Sequence, residues 1–131
     1  MQRTAAGTCL RRLARVFAGG ACFVSVAWGH GAADGHGGSL TEVIAPGDTF
    51  ELCRLLAPDE RLGYTFTATQ PLDFNIHYHA GREVYYPVPA HRAASAGTEF
   101  VAASAQEYCL MWMNPAAGPV TLSLQYRQGH P

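Results

Sequence analysis

The sequence predicts an all-β fold, an antiparallel β-sandwich or jelly roll of about seven to eight short strands preceded by a signal peptide. Three observations point there. From Leu40 onward, apolar and polar residues alternate with period two in short runs. Clusters of Pro, Gly, Asp and Asn separate these runs at regular spacing. No stretch of useful length beyond Leu40 repeats its apolar residues at helical spacing.

The first residues read as an export signal. Arg3, Arg11, Arg12 and Arg15 form a basic region ahead of Val16 to Val26, an apolar run too short to span a bilayer. Ser25-Val26-Ala27 places small residues where an A-x-A-like cleavage site needs them, giving a signal peptide over residues 1–27. Gly31-Ala32-Ala33 allows cleavage as late as residue 33. A lipoprotein built on Cys22 is disfavoured, because the apolar run continues past it through Phe23, Val24 and Val26. The expected address is periplasmic or secreted, with no membrane span after signal removal.

Export changes the charge balance. Four of the nine arginines precede residue 28 and all ten carboxylates follow it, leaving five against ten, a net charge of −5 with His neutral. The chain has no lysine. Without a basic patch to neutralise phosphates, nucleic acid is excluded as a partner.

Residues 28–39 are rich in Gly and His and poor in apolar residues, which describes a flexible arm. Cleavage after Ala27 would leave Trp28-Gly29-His30 as the new terminus, a free amine with His in third place. That arrangement chelates copper or nickel.

The domain is expected over residues 40–128. Pro46-Gly47-Asp48 is a turn, after which Phe50 and Leu52 alternate with Glu51. Beyond the Pro58-Asp59-Glu60 turn, Tyr64, Phe66 and Ala68 share one face, and Gln70-Pro71 breaks the run. Val84 to Val88 reads as a short edge strand ended by Pro87 and Pro89, and Ala90 to Gly97 as a loop. Phe100-Val101 marks a short strand. In Glu107 to Met113, Tyr108, Leu110 and Trp112 oppose Cys109, Met111 and Met113. After the turn from Asn114 to Pro119, Val120, Leu122, Leu124 and Tyr126 face one way.

Cys9 and Cys22 leave with the signal, so Cys53 and Cys109 remain as an even pair in an oxidising compartment, where a disulfide is the default. The alternative, two thiolates holding a metal, lacks a C-x-x-C pair.

The candidate site lies on Leu72 to His79. Phe74, Ile76 and Tyr78 alternate with Asn75, His77 and His79, so one face is apolar and the other carries two imidazoles roughly 6 to 7 Å apart along the strand. Both can reach one metal ion through bonds of about 2 Å. The plainer reading is a pair of exposed strand histidines without a ligand role. Glu83 on the next strand adds a carboxylate, and Met111 and Met113 add thioethers unless both faces of their strand are packed. Imidazole with thioether favours copper over magnesium or calcium.

Two resemblances accompany these residues. Phe50-Glu51-Leu52-Cys53, Gly63-Tyr64-Thr65-Phe66, Leu72-Asp73-Phe74-Asn75-Ile76, Glu83-Val84-Tyr85-Tyr86 and Glu107-Tyr108-Cys109 together resemble the GOLD (Golgi dynamics) domain of secretory-pathway cargo receptors. That resemblance implies a β-sandwich with Cys53 and Cys109 bridged. The trafficking role does not follow, since no coiled coil or membrane span comes after Tyr126. His77-x-His79 with Glu83 resembles the first metal motif of cupins, but Pro71 and Ala90 stand where its glycines belong and no second motif is present.

The function expected is binding of a transition metal, copper first with zinc, iron and manganese as alternatives, by His77, His79, Glu83, Met111 and Met113. A second expectation is an interaction module without cofactor that binds another exported protein through Tyr78, Tyr85, Tyr86 and Trp112. A third is a cupin-type metal-dependent enzyme. Catalysis is not required by any residue pattern, and neither a G-x-S-x-G elbow nor a phosphate loop occurs.

Overall fold

In a computed structural model, residues 36–130 are described. The expected signal peptide and the Trp28-Gly29-His30 chelate lie outside them. The described chain is all-β and antiparallel, with six strands in one curled sheet: β1 (Gly37–Ile44), β2 (Thr49–Leu56), β3 (Arg61–Ala80), β4 (Glu83–Val101), β5 (Gln106–Met113) and β6 (Val120–Gly129). The order is β1-β6-β3-β5-β2, with β4 on the other side of β3.

β3 organises the rest by changing partners midway. Arg61 to Ala68 pairs with β6 (Tyr64↔Tyr126, Ala68↔Leu122), and Asp73 to His77 pairs with β5 (Asp73↔Met113, His77↔Cys109). The corner falls at Gln70-Pro71, where pairing to β4 also lapses between Thr67 and Leu72. Proline has no N–H to give a ladder, so it sits where the strand turns from one neighbour to another. The break expected there is thus a bend inside one 20-residue strand.

β4 differs more from expectation. It runs unbroken for 19 residues, taking in the segment read as a loop, with His91, Arg92 and Ala93 opposite Phe74, Asp73 and Leu72. Pro87 and Pro89 do not end it. Register shifts between Phe74 and Ile76 and between Ile76 and Tyr78 absorb them, on a strand whose outer edge is unpaired among the described residues. A two-residue turn joins β3 to β4, with Gly81 supplying a φ of +64°.

The curl brings the inner faces of the two halves together. Phe66, Phe74 and Trp112 are buried, and Trp112 meets Phe74 at 5.2 Å, Phe66 edge-on at 5.6 Å and half-buried Phe50 at 6.0 Å. Tyr108, Leu110, Val120, Leu122 and Leu124 complete the apolar faces that alternation predicts. Arg54 on β2 donates to the Tyr126 hydroxyl on β6 at 2.6 Å, and Gln128 Nε2 donates to the Leu55 carbonyl at 2.9 Å, tying the end strand β2 to β6 across the curl. β1 begins at Gly37, within the stretch read as arm. Gly38 lies against Tyr126, whose hydroxyl would stand 3.0 Å from any Cβ placed there.

Candidate functional site

Directly opposed residues of an antiparallel pair share a face, so the registers of β2, β5 and β3 fix three rows across one outer surface. Cys53, Cys109 and His77 form the first; Glu51, Met111 and Asn75 the second; Thr49, Met113 and Asp73 the third. His79 lies one row beyond the first, opposite Val84 of β4. The histidine and methionine strands are therefore neighbours with matching faces, but offset. Met111 is diagonal to His77, while Met113 is two rows away, in the row where Arg92 of β4 pairs with Asp73.

His77 is buried at 5% exposure although it lies on the outward face. Its ring packs against His79 at 5.3 Å and Tyr86 at 5.7 Å. Nδ1 lies 3.0 Å from Asn75 Oδ1, which can only accept, so Nδ1 carries the proton and Nε2 keeps its lone pair. Nε2 lies 3.9 Å from Glu51 Oε1. Loss of water around the ring lowers the His77 pKa below its usual value, Glu51 opposing that shift and His79 adding to it.

Cys53 and Cys109 form a disulfide between directly opposed residues of β2 and β5. The Glu51 carboxylate and the two sulfurs lie within 4.8 Å of one another. As a disulfide the sulfurs are not thiolates, so this cluster offers a metal a single carboxylate.

Among the residues singled out in sequence, the structure brings together His77 and His79, with Met111 on the adjoining strand. Glu83 pairs with Ala80 and falls on the opposite face, with Tyr78 and Tyr85. The aromatic set divides as well. Trp112 is fully buried at the centre of the core and cannot form part of a surface, a correction to the expectation. Tyr85 and Tyr86 are about half exposed, and Tyr78 stacks on Tyr85 at 5.1 Å and 12°.

Sequence alone does not mark Glu51 and Asn75 as site residues. Period two puts Asn75 on the His77 face and Glu51 on the Cys53 face, but which strands adjoin is a tertiary fact that alternation does not carry.

No family model and no curated protein matches the chain, so the GOLD and cupin resemblances rest on the quoted residues alone. Among solved structures, the chain is similar to PliG of Aeromonas hydrophila, a periplasmic lysozyme inhibitor of g-type lysozyme. The TM-score is 0.54 at 14% identity, over 72% of this chain and 87% of that one. A de novo designed double-stranded β-helix aligns at TM-score 0.39 and 16% identity, over 70% and 97%. The likeness to PliG is one of all-β fold.

Proposed function

We propose that this chain is a small exported β-sandwich binding module that holds a partner protein at the tip of the β3–β4 hairpin. The observation that carries the reading is the exposure of Tyr85 on one face and of Val84 and Tyr86 on the other, at the tip of a strand whose outer edge has no partner among the described residues. Exposed aromatic side chains at a projecting tip suit a protein interface that grips both faces, since Tyr is enriched among the residues that matter most for affinity. Tyr85 is held in place by its stack on Tyr78, so little side-chain freedom is lost on binding. The disulfide fits an oxidising compartment. PliG, of similar fold, is a periplasmic inhibitor of g-type lysozyme, which makes a g-type lysozyme a first partner to assay. Purified protein should bind and inhibit such an enzyme, or capture another exported protein, and the double variant Tyr85→Ala/Tyr86→Ala should lose that binding. Unchanged capture by the double variant would sink the reading.

A second reading is copper binding by His77 and His79, with Glu51 and Met111 as further donors in place of Glu83 and Met113. It rests on the Nε2 lone pair that Asn75 leaves free and on the 5.3 Å between the rings. Metal analysis of protein from a metal-replete culture tests it: stoichiometric copper, lost in His77→Ala/His79→Ala, supports it. Iron, manganese or zinc at one equivalent would favour the cupin-type enzyme instead, and no metal the protein-binding module alone.

A further inference from the structure

We infer that the Cys53–Cys109 disulfide is the closed form of a zinc site, and that reduction opens a four-donor set made of Cys53, Cys109, His77 and Glu51. The inference needs neither the aromatic tip nor His79. It rests on the row Cys53, Cys109, His77 across three adjacent strands and on the carboxylate that reaches over it. The Glu51 carboxylate and both sulfurs are already within 4.8 Å of one another; His77 lies outside that distance from the full set and joins it through Nε2, 3.9 Å from Glu51 Oε1, and through its place opposite Cys109, so its ring has to swing toward the sulfurs to ligate. Asn75 holds the imidazole in the tautomer a ligand needs, the outer-sphere support that metal-binding histidines ordinarily have.

The chemistry balances with a dithiol as reductant. Its two thiols give up two electrons and two protons, the S–S bond of Cys53 and Cys109 breaks to two thiols, and the dithiol becomes a cyclic disulfide. Binding of Zn2+ then releases the two thiol protons as two Zn–S bonds form. Tetrahedral zinc with Zn–S bonds of about 2.3 Å holds its sulfurs about 3.8 Å apart. Directly opposed cysteines reach that separation by side-chain rotation, with the β2–β5 ladder kept. Two thiolates, one imidazole and one carboxylate are donors that zinc accepts, and the mixed hard and soft set distinguishes it from calcium or magnesium.

The test uses the full exported chain, air-oxidised or reduced with a phosphine and kept at low temperature, titrated with Co2+ as a spectroscopic stand-in and then with Zn2+. Reduced protein should give thiolate-to-cobalt charge-transfer bands and tetrahedral d–d bands, bleached by Zn2+, and oxidised protein should give neither. Outer-sphere changes cost about 10- to 100-fold in affinity, so loss of a ligand in His77→Ala or Glu51→Gln should cost at least that. His79→Ala should leave affinity within about threefold of the parent. Glu51 is exposed, so Glu51→Gln tests the site without disturbing the buried row. Absence of thiolate bands, parental affinity in Glu51→Gln, or loss of the β circular dichroism on reduction with Zn2+ present would each overturn the proposal.

Discussion

The imidazole of His77 donates its Nδ1 proton to the side-chain oxygen of Asn75, 3.0 Å away and two residues back on the same strand. Both side chains are buried on a face that alternation assigns to the outside, because Glu51, His79 and Tyr86 close over the ring. A local strand periodicity thus fixes the proton position on a buried base.

Because burial lowers the His77 pKa in the folded state, the unfolded chain binds its proton at higher pH than the folded one does. Stability is therefore full above the usual histidine range, falls as pH drops through about 6.5, and levels off below the depressed folded value. Denaturant midpoints across that window should show this slope in the parent and a shallower one in His77→Gln.

Removing the acceptor has a separate effect. Asn75→Ala leaves a buried N–H without a partner and should cost about 1–3 kcal/mol in chemical denaturation.

Trp112 touches three aromatic rings and has no exposure. Trp112→Ala should cost about 3–5 kcal/mol, whereas Leu55→Ala, at a position 75% exposed, should change stability by under about 0.5 kcal/mol. Paired denaturation curves check the contrast. Equal losses would place the core elsewhere.

The disulfide closes a loop between residues 56 apart in sequence. The chain-entropy model gives on the order of 4 kcal/mol for such a loop. Reduction without added metal should lower the melting midpoint markedly, and thiol quantification in native air-purified protein should find Cys53 and Cys109 both blocked.

Glu60 is held at the β2–β3 turn by two donors: the Ala57 N–H at 2.9 Å and Gln128 Nε2 at 2.8 Å. These hydrogen bonds lower its pKa, the one from Ala57 most. The stabilisation they give is present above the usual carboxylate range and is lost as pH falls through the lowered folded value. Glu60→Ala should lower the melting temperature at neutral pH, with the difference from parent shrinking in acid. A constant difference at all pH values would show that the carboxylate charge is not what matters.

The all-β class and the membership of each apolar face were legible in the sequence. Tyr64 and Phe66; Tyr108, Leu110 and Trp112; and Val120, Leu122 and Leu124 all turn inward as alternation requires. Strand length was not, because prolines that would stop a central strand are tolerated where an edge can bulge, as at Pro87 and Pro89. At the site, His77 and His79 share a face by period alone. Their distance from Met113, the position of Glu83 across the sheet and the approach of Glu51 depend on register between strands, which is set by the folded whole.

β3 is hydrogen-bonded along both edges, to β4 on one side and in turn to β6 and β5 on the other, and this has a kinetic consequence. Its hairpin with β4 closes through two residues, whereas β1 meets β6 only after a loop of 75 residues or more has been ordered, from Ile44↔Val120 outward. Loop closure costs more entropy as the loop lengthens. The hairpin is thus the natural nucleus and β1 the last strand to dock. Amide exchange should run the same way, with β1 protons exchanging soonest and those in the middle of β3 persisting until the molecule unfolds globally.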